Sequence, residues 1–170
     1  MKAVAKTVEP AERAARFDHI RPHYLEALTL LERLHRRLID VINDEFDRRG
    51  RVDINAVQAL LLYNIGNKEL AAGELRTRGC YLGSNVSYNL KKLVEIGFLD
   101  HQRSRVDRRS VRIKLTDKGR EVRDMVDALY HKHVCTVEQI GGINAEEFSV
   151  LNKALHRLER FWTDQILYQL

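Results

Sequence analysis

Several residue types are scarce in this chain of 170 residues, and each shortage excludes a class of protein. Two cysteines without CxxC spacing cannot form a disulfide framework, and two prolines with nine glycines argue against a disordered or loop-rich all-β chain. The longest apolar run, residues 59–63, is far shorter than the roughly 20 residues that a membrane-spanning helix needs. Residues 1–16 contain no apolar segment like that of a secretory signal, so we expect a cytoplasmic protein.

Motifs of catalysis and of metal binding are also missing. The chain has no glycine-rich phosphate loop, no G-x-S-x-G and no H-E-x-x-H, and its histidines and carboxylates are scattered. His19 with His23, and His131 with Cys135, are spaced like metal ligands on a helix, but no four-ligand set accompanies either pair. We therefore expect no enzyme, no cofactor and no metal site.

Positive charge is present and unevenly distributed. The net charge is +5, and residues 68–118 contain twelve Lys and Arg against six Asp and Glu. The remaining residues contain seventeen against eighteen, so they carry almost no net charge. A basic segment of this kind is typical of a surface that meets the phosphates of a nucleic acid.

The most informative stretch begins with a predicted helix over residues 84–96. Val86, Leu90 and Leu93 recur at helical spacing, and Gly97 ends the helix where a left-handed residue is needed. The opposite face carries polar side chains that suit the base edges in a major groove. These candidate DNA-reading residues are Ser84, Asn85, Ser87, Tyr88, Lys91 and Lys92.

A two-stranded ribbon is predicted after this helix. Phe98 and Leu99 begin the first strand, and Val111, Ile113 and Leu115 alternate with basic residues in the second. Helix, stop and basic-tipped ribbon form the layout of a winged helix-turn-helix, so we predict double-stranded DNA as the partner. The candidate DNA-contacting residues of the loop are Arg103, Arg105, Asp107, Arg108 and Arg109.

The segments before the reading helix are predicted as two helices and two short elements. Residues 22–49 form a long helix with a continuous apolar stripe, and a second helix capped by Asp53 or Asn55 follows it. Residues 67–70 are predicted as a short strand that pairs with the ribbon. Residues 71–78 are predicted as the first helix of the helix-turn-helix.

Two further helices are predicted after the ribbon. Thr116 begins a helix that runs to about residue 140, and Asn144 with Glu147 forms a capping box for the last helix. Apolar stripes at both ends of the chain indicate that terminal helices from two chains pack together into a dimer. The a/d seam of the last helix consists of Phe148, Leu151, Leu155, Leu158 and Trp162.

The predicted fold is therefore mainly α with a small β-wing. Residues 51–119 form a winged helix-turn-helix DNA-binding domain, and residues 17–50 and 120–170 form a helical dimerisation domain. Residues 1–16 form a flexible arm. Two-fold symmetry would present two reading helices to adjacent major grooves of DNA.

The winged segment resembles the MarR family of bacterial transcriptional regulators. Gly73-Glu74-Leu75, Val86-Ser87, Leu93 and Gly97-Phe98-Leu99 match the helix-turn-helix of that family without gaps. Residues 107–119 match its wing, which has Asp-x-Arg, alternating apolar residues and then Leu-Thr-x-x-Gly. The chain departs from the family at the end of the first helix of the helix-turn-helix, where Gly79 replaces a common Leu, and in the turn, where Leu82 replaces a common Ser. The run YLGSNVSYNLKKLVEIGFL resembles a subgroup that regulates L,D-transpeptidases, which are enzymes of cell-wall remodelling.

The resemblance implies a homodimer that usually represses genes near its own and is often released by a small aromatic effector. It implies that Arg109, held by Asp107, enters the minor groove, whose negative potential suits arginine. Arg103, Arg105 and Arg108 are expected to contact phosphates. The effector would bind at the junction of the dimerisation and reading domains, where the aromatic and polar candidates, each also a core candidate, are Tyr24, His35, Phe46 and Tyr63.

Two other functions stay open on the sequence alone. The basic face of a winged-helix dimer could bind a protein or RNA instead of DNA. Cys80 precedes the reading helix, where a helix N-terminus favours the thiolate, so it could act as a redox switch. Sequence-selective binding to duplex DNA separates a DNA-binding regulator from an interaction module.

Overall fold

The structure is a computed structural model that describes residues 17–67, 69–71, 84–103 and 111–168. Helices dominate and one small sheet is present, as the mainly α prediction requires. The helices are α1 (Arg21–Arg48), α2 (Ala56–Ile65), α3 (Ser84–Glu95), α4 (Asp117–Gly141) and α5 (Ala145–Tyr168). The strands are β1 (Leu70–Ala71), β2 (Leu99–Arg103) and β3 (Val111–Leu115). The chain divides into two compact units between Gln58 and Ala59.

Helix α1 is the long helix predicted over residues 22–49. Pro22 lies in its first turn, where a proline is tolerated because the backbone N–H has no helical partner. At its other end Gly50 adopts a left-handed φ of 66°. The N–H of Gly50 donates to the carbonyl of Asp47 at 3.0 Å, and that of Arg51 donates to the carbonyl of Phe46 at 2.9 Å. Gly50 therefore ends the helix by satisfying its last carbonyls.

The apolar stripe of α1 is buried only near its C-terminal end. Ile42 and Phe46 are buried, whereas Leu25 is 45% exposed and Leu34 is 62% exposed. The first half of the predicted stripe is thus only partly covered in the single chain.

Helix α2 is capped by Asn55, the second of the two predicted candidates. The side chain of Asn55 accepts the N–H of Gln58 at 2.9 Å, and the side chain of Gln58 accepts the N–H of Asn55 at 3.3 Å. This reciprocal pair is a capping box. The side chain of Asn43 in α1 also accepts the N–H of Ala56 at 3.1 Å, which ties α1 to the start of α2 within the first unit.

The sheet of the second unit has the order β1-β3-β2, and both pairings are antiparallel. In β3, Ile113 is buried while Arg112 and Lys114 are exposed, which confirms the predicted alternation. Strand β1 pairs Leu70 with Ile113, so the predicted third strand pairs with the ribbon.

The bounds of this third strand differ from the prediction. It covers Leu70–Ala71 and not residues 67–70, because Asn67 lies in the turn that follows the left-handed Gly66. Ala71, which was expected to begin a helix, pairs with Arg112 in the sheet. The remainder of that predicted helix and the predicted turn after it, residues 72–83, lie outside the described residues, as does the predicted arm over residues 1–16.

The core of the second unit comes from α2, α3, the sheet and the first half of α4. Leu60, Leu61 and Ile65 of α2 are buried, and Leu62 is buried with them. The buried side chains of this core are Leu60, Leu61, Leu62, Ile65, Leu70, Leu93, Phe98, Leu99, Ile113, Leu115, Val122, Val126 and Leu129.

Both long C-terminal helices begin at the predicted caps. The hydroxyl of Thr116 accepts the N–H of Gly119 at 3.1 Å, and Asn144 and Glu147 exchange two hydrogen bonds of 2.9 Å each. Gly142, with a φ of 67°, separates α4 from α5. None of the residues described in α5 is buried, although its apolar seam is as regular as that of a core helix.

Candidate nucleic-acid interface

Helix α3, the predicted reading helix, buries one face and exposes the other. Leu93 is fully buried, and Leu90 and Val94 are half-buried against the sheet side. Tyr88 is 68% exposed, and the other polar candidates with described side chains, Ser87, Lys91 and Lys92, are exposed as well. Ser84 and Asn85 lie in the first helical turn, as predicted, and their side chains lie outside the described part of the structure.

A tight stop fixes where α3 ends. Gly97 has a φ of 79°, and its N–H donates to the carbonyl of Val94 at 3.1 Å. The N–H of Phe98 reaches back to the carbonyl of Leu93 at 2.8 Å. These two bonds form a Schellman-type end that turns the chain directly into β2. The exposed face of α3 is therefore held by an apolar face beneath it and a defined stop behind it.

The two wing strands run side by side toward the arginine-rich loop. Register pairs Leu99 with Leu115 at the base and Arg103 with Val111 at the far end. The backbone of Arg103 thus lies where the ribbon meets its loop. Residues 104–110, which include the predicted contacts Arg105, Asp107, Arg108 and Arg109, lie outside the described residues, so their roles stay predictions.

Two basic side chains on the wing strands already have acidic partners. Arg112 lies 3.7 Å from a carboxylate oxygen of Glu69, and Lys114 lies 3.5 Å from one of Asp100. Both pairs are about half-exposed and therefore contribute little to stability, but each one offsets positive charge on the strands. Alternation alone marked these residues as exposed. Their partners were missed because Glu69 is distant in sequence and the Asp100 pairing depends on register.

Lys91 also has an acidic neighbour on the reading helix. Its ammonium lies 3.9 Å from a carboxylate oxygen of Glu95, one turn along α3, and the Lys91 side chain is 80% exposed. An exposed pair at this distance is easily exchanged for another partner in water. Lys91 is therefore accessible to a phosphate.

The residues suggested for an effector site differ in their exposure. Phe46 is buried, Tyr24 is 38% exposed and His35 is exposed. Tyr63 packs edge-to-face against Tyr130, with ring centroids 5.0 Å apart. Burial, and secondly the nearby Tyr63, raises the pKa of Tyr130 above its ordinary value.

Two apolar grooves exist within the second unit. One of about 490 Å³ lies beside α3 and is lined by Leu90, Val94 and Ile113, among others. The other, of about 590 Å³, lies at the α4–α5 turn and includes Tyr130 and Phe148 in its lining. Neither lining includes the four suggested effector residues, and an effector remains an expectation from sequence.

The cysteine and histidine candidates form no ligand cluster in the part of the chain that is described. Cys135 is exposed, with its sulfur 3.9 Å from Nε2 of His131, and no third His, Cys, Asp or Glu completes a group there. Cys80 lies outside the described residues. Within the same described ranges, no helix has the length and apolar character needed to cross a membrane.

Sequence comparisons agree with this geometry. Residues 54–119 match a family model described as a winged helix DNA-binding domain. The exopolysaccharide II synthesis transcriptional activator ExpG of Rhizobium meliloti (strain 1021) is 35% identical to this chain over 153 residues. The match covers 85% of this chain and 74% of that protein.

Solved structures share the fold. The MarR protein from Peptoclostridium difficile DA00132 has a TM-score of 0.68 at 16% identity, with 100% of this chain and 99% of that one covered. FabT of Streptococcus pneumoniae, solved in complex with DNA, has a TM-score of 0.62 at 24% identity, with 83% and 98% covered. These likenesses confirm the predicted winged helix fold.

Proposed function

Because this chain belongs to the MarR family of winged helix-turn-helix transcriptional regulators, we propose that it acts as a homodimer on a pseudo-palindromic operator in the cytoplasm. The chain is a DNA-binding regulator and not an enzyme. The observation that carries the proposal is the exposed polar face of α3, which a buried apolar face and the Gly97 stop hold beside the basic ribbon.

The reading helix would enter a major groove with its N-terminal turns. Ser84, Asn85, Ser87 and Tyr88 would meet base edges there, since amide and hydroxyl groups pair with bases and an aromatic ring packs on a thymine methyl. Lys91 and Lys92 lie farther along α3 and would contact phosphates or guanine. The wing would place Arg109 in the adjacent minor groove, with Asp107 holding it and Arg103, Arg105 and Arg108 on phosphates.

The terminal helices would hold two chains together. The a/d seam of α5 has no buried member, and the first half of the α1 stripe is only partly covered in one chain. Apolar seams of this kind pack against a partner helix, so a second copy is the natural cover. Two-fold symmetry would then place the reading helices about one turn of DNA apart.

Repression follows if the operator overlaps a promoter, and we expect a small aromatic effector to change the separation of the reading helices and release the DNA. A second candidate, activation, is favoured by the relative from Rhizobium meliloti, which is described as an activator of exopolysaccharide II synthesis. The target genes would then serve the cell surface, as in cell-wall remodelling or polysaccharide synthesis. Reporter expression from the operator in cells with and without the regulator distinguishes the two signs.

The direct test is binding to labelled DNA from upstream of the protein's own gene, with a scrambled duplex alongside and salt titrated. Preference for the upstream fragment that persists at physiological salt supports a sequence-specific regulator, and footprinting then gives the half-site spacing. Equal, steeply salt-dependent binding to both duplexes contradicts an operator there. It would leave the alternatives of non-specific contact or a protein-interaction module.

The wing assignment is tested by Arg109→Ala with Lys91→Ala as the matched removal of one positive charge. Arg109→Ala should lower operator affinity about 5- to 100-fold and reduce the preference for a narrow minor groove. Lys91→Ala should weaken binding to all duplexes about equally. It should also reduce the slope of log affinity against log salt concentration by about one. Unchanged operator binding by the Arg109 variant would show that the wing assignment is wrong.

A further inference from the structure

The end of the reading helix is joined to the start of α4 by a shared set of hydrogen bonds. The hydroxyl of Thr116 donates to the carbonyl of Gly97 at 2.7 Å and accepts the N–H of Gly119 at 3.1 Å. The N–H of Thr116 donates to the carbonyl of Phe98 at 3.1 Å. One hydroxyl therefore caps α4 and holds the stop that follows α3.

Lys118 adds a second link between the same two places. Its ammonium donates to the carbonyl of Ile96 at 3.3 Å, and it lies 4.2 Å from the centroid of the Phe98 ring. A cation at a helix C-terminus is favoured by the helix dipole, and a cation over an aromatic face is favoured by the ring quadrupole. The charge of Lys118 is thus engaged within the protein.

Gly119 allows the two backbones to approach closely. It is buried, and a Cβ at this position would overlap the carbonyl oxygen of Phe98 and lie 3.2 Å from the carbonyl carbon. A side chain would push the first turn of α4 away from the end of α3. We call these contacts, between residues 96–98 and residues 116–119, the latch.

We infer that the latch makes α3 and α4 move as one body, so that Thr116 and Lys118 are positioning residues for operator recognition. This inference rests on the proposed function, in which the terminal helices hold two reading domains together. Neither residue belongs to the DNA-contacting set, so each acts through the reading helix. The property they determine is the spacing of half-sites that the dimer accepts.

Because α4 is long, a small rotation at the latch displaces the far end of the helix by several ångströms. Its 25 residues give a lever of roughly 37 Å at 1.5 Å per residue. A rotation of about 10° at one end of such a lever displaces the other end by roughly 6 Å, close to two base-pair steps of about 3.4 Å. A loose latch would therefore let the dimer tolerate wrongly spaced half-sites.

The simpler explanation is that these residues only stabilise α4. Thr116 is an N-cap, and removing any N-cap lowers stability. Asn144 provides the matched control, because Asn144→Ala removes an N-cap from α5 without touching α3. Thr116→Ser keeps the donor and acceptor of the hydroxyl, whereas Thr116→Val removes both. Lys132→Met removes an exposed lysine from the middle of α4 and controls for Lys118→Met.

The experiment measures the affinity of the full-length protein for four labelled duplexes: the footprinted operator, a single half-site, and operators with one or two base pairs inserted between half-sites. Thr116→Val and Lys118→Met should bind the native operator about tenfold more weakly, comparable to the effect of a mismatched base pair. Binding to the half-site should change less than about twofold, because the reading residues remain. The penalty for an inserted base pair should shrink. Thr116→Ser, Asn144→Ala and Lys132→Met should keep the wild-type spacing preference.

Two results overturn the inference. An equal loss of affinity for all four duplexes would mean that Thr116 and Lys118 contact DNA or only support folding. A matching loss of affinity in Asn144→Ala would identify the support of folding as the cause. Unchanged affinity and spacing preference in both latch variants would show that the latch is dispensable. The wild-type protein tests the proposed function separately. If it binds a half-site as tightly as the operator, the symmetric-operator proposal fails and the latch inference fails with it.

Discussion

The winged core and the last helix carry equally regular apolar patterns, yet only one of them is buried. In the core, Leu93, Phe98 and Val122 are each fully buried. In α5, Leu151 is 45% exposed and Phe161 is 50% exposed, and no described residue of the helix is buried. The core is complete within one chain, whereas α5 presents an apolar seam that one chain covers only in part.

The boundary between the two regions falls within α4. Val122, Val126 and Leu129 in its first half are buried, but Val134 is 72% exposed and Ile140 is 83% exposed in its second half. Helix α4 therefore begins in a core that is buried within one chain and continues into a surface with exposed apolar side chains. This arrangement teaches that periodicity predicts an apolar face but does not tell which chain covers it.

The largest effect expected from this comparison is on Phe98. Phe98→Ala should lower the free energy of unfolding by about 3–5 kcal/mol, since it leaves a cavity in a closed core. Leu151→Ala, a truncation on the seam of α5 at a residue that is 45% exposed, should change it by about 0.5 kcal/mol or less at protein concentrations low enough to keep the chain monomeric. Urea unfolding measures both.

The dependence of stability on protein concentration distinguishes these two variants further. If a second chain covers the seam of α5, the Leu151→Ala variant should become more destabilised relative to wild type as the protein concentration rises, because dissociation is coupled to unfolding. The Phe98 effect should stay constant. Similar losses of stability for Phe98→Ala and Leu151→Ala at low concentration would show that the seam of α5 is packed within the single chain.

A second prediction concerns assembly. Leu151→Glu places a carboxylate on the seam of α5, and we expect it to weaken dimer formation on the order of a hundredfold, because the charge would be buried without a partner. Val150→Glu is the control, because Val150 is the adjacent residue, is 67% exposed and lies off the seam. Sedimentation velocity should report the 19.8 kDa single chain for the seam variant at concentrations where the control is dimeric. Dissociation of both variants, or of neither, would contradict the assigned seam.

The same comparison explains what the sequence could predict. Caps and stops are local, so Gly97, Thr116 and the Asn144–Glu147 box were predicted correctly from a few neighbouring residues. The predicted start of β1 was wrong by three residues and its end by one, because a two-residue strand has no period and is set by its pairing with β3.

The candidate site was predictable in part. Alternation and helical spacing identified which side of α3 and of β3 is exposed. The contacts that position α3 could not be read this way, because Thr116 and Gly97 are 19 residues apart and meet only after the ribbon folds. Ion pairs such as Glu69 with Arg112 depend likewise on the third strand.

The smallest effect expected is a loss of stability at alkaline pH, caused by a residue at the end of the buried part of α4. Tyr130 follows the last buried residue of the α4 core, Leu129, and burial, then the neighbouring Tyr63, raises its pKa. A raised pKa means that the folded protein keeps the phenolic proton to a higher pH than the unfolded chain does. The stability from this group is therefore fully present below about pH 10 and is lost as the pH rises through the folded-state pKa.

Tyr130→Phe removes that titration while keeping an aromatic edge against Tyr63. We expect the unfolding free energy of the variant to fall less steeply than that of wild type between about pH 9 and 11. Tyr168→Phe, at a residue that is 68% exposed, serves as the control for the loss of one phenolic hydroxyl. If the Tyr130 variant keeps the wild-type slope, that ring is solvated, and the closed part of α4 must end before residue 130. If the slope flattens, the buried part of α4 extends at least as far as residue 130.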